Sequence, residues 1–173
     1  TAASTINSGQ AHVTATQGAN NATSNLSITI IPDHYAFTTV SSSITAGSNI
    51  AETVTAEDAS NAAITNFSGS VNISDSTSTI TPSSINLSGG SWTGNFVITK
   101  AITGDTISAS SNSGAVTGVS NSFDVIPATL TSVTVNPTTL TMSINTSTSV
   151  SATGYDQYGN TITNLTYNWT STI

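Results

Sequence analysis

The chemistry that this sequence could support is concentrated in asparagine, because eight asparagines are followed by a residue other than proline and then by serine or threonine. That spacing is the acceptor pattern for N-linked glycosylation, which requires a surface position. The eight are Asn21, Asn25, Asn66, Asn72, Asn86, Asn145, Asn164 and Asn168. Because the 173 residues include 34 Thr and 30 Ser, composition explains part of this number, and plain solvated asparagine is the alternative at each position.

Asp58 and Asp156 are the candidate metal ligands, since each begins a predicted turn at an equivalent place in an internal repeat. The ordinary interpretation is a turn in which the carboxylate accepts backbone N–H groups. A calcium site at a domain junction, with Asp33 or Glu57 contributing, is the alternative. Calcium takes about six to eight oxygen ligands, more than the clustered acids supply, so the sequence predicts neither a metal nor another cofactor.

Groups suited to catalysis are few, because the chain has two His and no Cys. His12 alternates with the apolar residues around it and is predicted to point outward, and His34 follows Pro32 and Asp33 at a predicted junction. No Ser–His–acid set and no pair of carboxylates is suggested by the spacing. The sequence therefore does not predict an enzyme.

The charge composition excludes several classes of partner. One Lys and no Arg against eight acids give a net charge of −7, which cannot neutralise a nucleic-acid backbone. No run of about 18 apolar residues is present, so the sequence predicts no membrane insertion in this segment. Charged residues make up 5% of the chain, so hydroxyls, amides and attached glycans are expected to keep its surface hydrated.

Period-two alternation of apolar and polar residues dominates the chain and predicts β-strands with one buried face. The clearest alternating runs are at 26–30, 71–73, 85–87, 140–144 and 165–169. Turn signals recur about every 8 to 12 residues, a spacing typical of sandwiches and barrels. The predicted fold class is therefore all-β, a sandwich or a barrel.

An internal repeat suggests the domain plan. Residues 58–68 match residues 156–166 at an offset of 98, and residues 27–32 match residues 122–127 at an offset of 95. Pro32 and Pro127 each end a predicted strand, because proline cannot continue a central ladder. The plan is one complete domain at 33–127, the last strands of a domain at 1–32, and the first strands of a domain at 128–173.

The two incomplete parts are expected to complete one another. Together they hold 78 residues, a normal size for a small sandwich, whereas a lone two-stranded hairpin is marginal in water. The expected partners are therefore copies of the chain itself, head to tail, as separate subunits sharing strands or as a covalent tandem repeat. Head-to-tail contacts that do not close produce filaments.

The stretch 130–169 resembles bacterial immunoglobulin-like domains of the invasin/intimin and surface-layer kind, and the resemblance is carried by residues 133–137, 151–160 and 167–169. Residues 9–16 and the unit around 44–47, 54–58 and 96–100 are similar to the same repeats. The resemblance implies an extracellular Greek-key sandwich that serves as a spacer, stalk, filament or lattice unit at the cell surface. An adhesin segment that binds carbohydrate or a host receptor is the alternative function.

Two further features are weighed against that resemblance. Some surface adhesins carry a Lys–Asn isopeptide bond. Similar repeats have an ordinary exposed lysine at the position of Lys100, so an exposed lysine without a cross-link is predicted. The aromatic residues Trp92, Trp169, Tyr155 and Tyr158 could form a sugar-binding platform. Because Trp169 lies on an alternating run, a position in the core is predicted for it instead.

Overall fold

The computed structural model describes residues 9–17, 20–28 and 31–171, and the first two ranges are described by their backbone pairing. Within these ranges the chain is all-β, as the sequence predicts, and no helix is long and apolar enough to cross a bilayer. The strands are β1 (Gly9–Gln17), β2 (Asn20–Ile28), β3 (His34–Phe37), β4 (Ser43–Thr45), β5 (Asn49–Glu57), β6 (Gly69–Asp75), β7 (Ser84–Leu87), β8 (Ser91–Val97), β9 (Ile102–Asp105), β10 (Ile107–Ser111), β11 (Thr117–Val119), β12 (Phe123–Ile126), β13 (Ser132–Asn136), β14 (Ser151–Tyr155) and β15 (Thr161–Ile162).

Strands β3 to β12 form an immunoglobulin-like β-sandwich, called here the central sandwich (residues 33–127). One layer has the strand order β3-β5-β8. The other layer joins the orders β11-β10-β6-β7 and β4-β12-β9, because β9 and β10 are separated only by Thr106 and continue one another. All pairings in the two layers are antiparallel except that of β4 with β12, which is parallel.

The hydrophobic core lies between these two layers and is built by alternation. Inward residues of β5, β6 and β7 are buried and their neighbours face solvent, which is the pattern a half-buried strand requires. Phe96 is fully buried and packs against Trp92, with ring centroids 4.8 Å apart. All 18 buried apolar side chains of the described residues lie between positions 35 and 125.

The remaining strands form two smaller sheets outside this core. β1 and β2 make a two-stranded hairpin, and β13, β14 and β15 make a three-stranded sheet. The runs at 140–144 and 165–169, predicted as strands, are not strands in the structure. In the described part of the chain no strand is hydrogen-bonded to either run, and an unpaired strand is unstable in water.

Candidate assembly surface and domain junction

The C-terminal segment (residues 128–171) exposes many of its large apolar side chains, whereas Ile162, Leu165 and Tyr167 are half-buried. The exposed members are Leu130, Val133, Val135, Leu140, Met142, Ile144, Val150 and Trp169. Trp169 is 53% exposed, so its predicted core position is wrong for the isolated chain. Large exposed apolar surfaces on soluble proteins mark interaction sites. We call this surface the open face.

The strand pairing in the C-terminal segment repeats that of the central sandwich. His34 of β3 pairs with Glu57 of β5. Adding 98 to both numbers gives Ser132 and Tyr155, which pair in β13 and β14. The isolated bridge between Glu57 and Ala63 maps in the same way onto the pairing of β14 with β15. The segment therefore has the register of the first strands of a sandwich.

The N-terminal hairpin repeats a different part of the central sandwich. Ser108 of β10 pairs with Val119 of β11. Subtracting 95 from both numbers gives Val13 and Ser24, which pair in β1 and β2. The hairpin therefore has the register of β10 and β11 of the central sandwich.

Asp58 and Asp156 begin two loops of the same construction, as the turn interpretation predicts. Oδ1 of Asp58 accepts the backbone N–H groups two and four residues later, with donor–acceptor distances of 2.8 and 3.0 Å. Oδ1 of Asp156 accepts the corresponding groups at 2.8 and 2.9 Å. In both loops the aspartate N–H donates to the carbonyl oxygen four residues later, at 3.0 Å.

These hydrogen bonds control the acidity of both carboxyl groups. The amides of Ala62 and Ser60 hold the pKa of Asp58 below its ordinary value. Burial by itself would raise the pKa of Asp156, but the Asn160 side chain and three backbone amides outweigh burial and lower it. The lowered pKa values therefore favour the ionised form of both aspartates, because the amides stabilise the negative charge.

The acids proposed for a calcium site are engaged elsewhere. His34 lies between two of them, with Nδ1 3.2 Å from Oδ2 of Asp33 and Nε2 3.2 Å from Oε2 of Glu57. Among residues 31–171 and the two N-terminal strands, no group of three or more His, Asp or Glu side chains is placed to hold a metal ion. The carboxylates at Asp58 and Asp156 serve their loops.

Asn160 has a role that the sequence reasoning missed. It is 2% exposed, and its side chain connects the Asp156 loop to the central sandwich. Oδ1 accepts the Ala101 N–H at 2.9 Å, and Nδ2 donates to the Thr99 carbonyl at 2.7 Å. The signal was present in the repeat, because the residue equivalent to Asn160 is Ala62, which has no polar side chain.

The glycosylation candidates are distributed over the whole chain. Asn66, Asn72, Asn86, Asn145, Asn164 and Asn168 are exposed, as surface acceptors must be. The turn signals around Asn21 and Asn145 predict both in turns; Asn145 lies in one, but Asn21 is the second residue of β2 and pairs with Thr16. Alternation with apolar neighbours predicts outward side chains for Asn25 and His12, which the structure describes by backbone pairing alone. Occupancy of all eight acceptors stays a prediction.

The other candidate residues are dispersed. Lys100 is exposed, as predicted. Trp92 is half-buried at the edge of the core, whereas Tyr158 packs at the junction and Trp169 lies on the open face. Among the described residues, no contact joins these aromatic side chains into one platform.

No protein-family model matches this chain, and no curated protein matches it either. Among solved structures the chain is similar to FdeC, described as a broadly conserved Escherichia coli adhesin eliciting protection against urinary tract infections. The similarity covers 85% of this chain with 22% identity and a TM-score of 0.49. The chain spans 48% of the length of that structure.

Proposed function

We propose that this protein is a structural repeat unit of an extracellular filament, stalk or surface layer. In the proposed assembly, residues 128–173 of one copy and residues 1–32 of the next fold together as one sandwich. The observation that carries the proposal is the complementary register: one segment has the pairing of the first strands and the other has the pairing of the last strands.

The central sandwich provides a template for the contact between copies. There, Asn72 of β6 pairs with Ser110 of β10. Applying the offsets of 98 and 95 places Thr170 of one copy opposite Ala15 of the next. The run at 165–171 would then become a strand, because it gains the partner that it lacks in the isolated chain.

The physical drive for assembly is burial of the open face. Apolar surface removed from water contributes about 25 cal/mol per Å². Both small sheets also have unpaired edges, which are templates for further strand pairing. Because the contact is head to tail and does not close on itself, repetition extends the assembly in one dimension.

Attached glycans belong to the same proposal. A surface with 5% charged residues needs other hydrophilic groups, and exposed asparagine acceptors can provide them. The role proposed is mechanical and protective, without catalysis, and the location proposed is the exterior of the cell.

A mixed cysteine experiment tests the pairing between copies, because the chain has no cysteine of its own. Copies carrying Ala15→Cys are mixed with copies carrying Thr170→Cys under oxidising conditions. Opposed residues in an antiparallel pair lie about 4.5–5.5 Å apart, which permits a disulfide. Mass spectrometry of proteolytic peptides should find the 15–170 disulfide as the main product.

The matched control uses Thr166→Cys in place of Thr170→Cys. Position 166 is four residues, about 13 Å, along the strand from the position expected opposite Ala15. This control should give little of the mixed disulfide. Equal yields at both positions, or no mixed disulfide at 170, would overturn the proposed pairing. The mass of native material under denaturing conditions separates the two forms of assembly, since separate subunits give 17.4 kDa plus glycan and a covalent repeat gives a far larger mass.

A further inference from the structure

We propose that the joint between the central sandwich and the C-terminal segment is locked by a side-chain clip, and that the joint at the other end of the central sandwich lacks this clip. The polymer would then alternate stiff and compliant joints. The first half concerns contacts within one chain, and the alternation rests on the proposed head-to-tail assembly.

Asn160 is the centre of the clip. Its carboxamide forms two hydrogen bonds with the backbone of the central sandwich. Oδ1 accepts from the Ala101 N–H, and Nδ2 donates to the Thr99 carbonyl. The same Nδ2 donates to Oδ2 of Asp156 at 2.9 Å. A buried carboxamide that is bonded on both sides is fixed in orientation, and it fixes the two elements that it joins.

Asp156 extends the clip to the chain that connects the two units. Its Oδ2 also accepts the backbone N–H of Ala128 at 2.8 Å, directly after Pro127. Asp156 is 3% exposed, so these bonds form in a largely water-free environment where an unmade bond is costly. One network therefore connects the linker, the loop and the central sandwich.

Tyr158 adds a steric contact to these hydrogen bonds. A Cβ at position 47 would collide with the hydroxyl group and ring of Tyr158, so any side chain at this position would clash. Gly47 also has a φ of +80°, a conformation that glycine adopts readily. The ring can pack against the turn only because position 47 has no side chain.

The equivalent loop at the other end of the central sandwich has the same backbone but not the same side chains. Ala62 occupies the position of Asn160, and Ser60 occupies the position of Tyr158. Both Ala62 and Ser60 are exposed. The methyl group of Ala62 cannot form a hydrogen bond with a neighbouring backbone, so this loop cannot make the clip.

The turn that would receive that loop is also different. In both units the turn is closed by a hydroxyl, from Ser48 to the Thr45 carbonyl at 2.6 Å and from Thr146 to the Ser143 carbonyl at 2.7 Å. The position equivalent to Gly47 is Asn145, which is a glycosylation candidate. A side chain, or a glycan, at this turn prevents the close approach that Tyr158 makes to Gly47.

The locked joint is tested by the distance between two spin labels within one chain. Cysteines at Ser74→Cys and Thr134→Cys, both exposed positions on strands, report on the two sides of the joint. The parent should give a single narrow distance distribution. Asn160→Ala should widen this distribution at least twofold, because the hydrogen bonds from the Asn160 side chain to Ala101 and Thr99 are lost.

A matched control is Gln157→Ala, an exposed residue of the same loop, which should leave the distribution narrow. Hydrogen exchange separates release of the joint from unfolding. In Asn160→Ala the Ala101 amide should exchange about tenfold faster, the expected effect of losing one hydrogen bond, while core amides of β5 and β6 keep their rates. A broad distribution in the parent, or an unchanged one in Asn160→Ala, would overturn the lock.

The compliant joint is tested in the assembled polymer by electron microscopy. Bends should fall at the joint before the central sandwich, and Ser60→Tyr with Ala62→Asn and Asn145→Gly should straighten the polymer. Bends distributed equally over both joints would contradict the alternation. Because the spin-label result needs no assembly, absence of a polymer would refute the proposed function and leave the locked joint standing.

Discussion

Asp58, Asp75 and Asp156 each stabilise the loop that they begin by accepting backbone N–H groups two to five residues later. Asp75 illustrates the balance of effects. Burial would raise its pKa, but the Thr77 hydroxyl and the amides of Ile80, Thr77 and Thr79 outweigh burial and lower it. Glu52 shows the opposite result, because desolvation outweighs its single hydrogen bond from Thr38 and raises its pKa.

These directions predict an asymmetric response to acid. A lowered pKa in the folded state means that the unfolded chain takes up protons first, so the contribution of the three aspartates is present above about pH 3.9 and is lost below it. Glu52 acts in the opposite sense, since its protonation between its raised pKa and about 4.3 favours folding. The melting temperature should therefore hold or rise slightly towards pH 4.3 and then fall steeply.

Asp75→Asn tests this prediction by calorimetry. The variant should lose about 1–3 kcal/mol at pH 7, the usual cost of weakening hydrogen bonds to a buried polar group, and its melting temperature should depend less on pH below 3.9. Glu52→Gln should flatten the dependence between pH 4.3 and 7. An unchanged acid limb in Asp75→Asn would contradict the assignment.

At the scale of elements, the two layers of the central sandwich differ in their outer faces. Asn72 and Asn86 both lie on the exposed side of the layer containing β6 and β7, where Asn72 pairs with Ser84 and Asn86 with Ser70. The layer formed by β3, β5 and β8 has no acceptor sequence on its strands. Glycans on strands of the central sandwich would therefore cover one layer and leave the other bare.

Mass spectrometry of protein from its natural source tests this distribution. Asn72→Gln and Asn86→Gln should each remove the mass of one glycan if both positions are modified. Asn95→Gln is the matched control, because Asn95 is exposed on β8 but has no Ser or Thr two residues later. Glycan on neither Asn72 nor Asn86 would refute the prediction for this layer.

At the scale of the whole molecule, the central sandwich has a complete core and the open face has none. Trp169→Glu tests whether the open face serves assembly. Because Trp169 is 53% exposed, the substitution should change the stability of the isolated chain by no more than about 0.5 kcal/mol. A buried, unpaired charge would be expensive in the assembled state, so polymer formation should be abolished.

Val119→Glu is the control for this experiment, since Val119 is 60% exposed on the central sandwich rather than on the open face. This variant should assemble like the parent, as judged by microscopy and size-exclusion chromatography. Normal polymers from Trp169→Glu, or equal loss from Val119→Glu, would show that the open face is not the assembly surface.

The sequence by itself determined the strands and the core of the central sandwich. Alternation decides which face of a strand is buried, so Val71, Ile73 and Ile85 could be placed in the core from their neighbours alone. The Asp58 and Asp156 loops were equally predictable, because an aspartate bonds to amides only two and four residues away.

Only the tertiary structure decided the role of Asn160 and the state of the C-terminal segment. The partners of Asn160 are about 60 residues earlier in the chain, and no local pattern states which backbone groups will face a carboxamide at that distance. Leu140 and Trp169 alternate as core residues do, yet they remain exposed because the opposing layer is missing. Periodicity specifies the face that a strand would bury, but burial itself requires a second surface, and tertiary structure alone shows whether one is present.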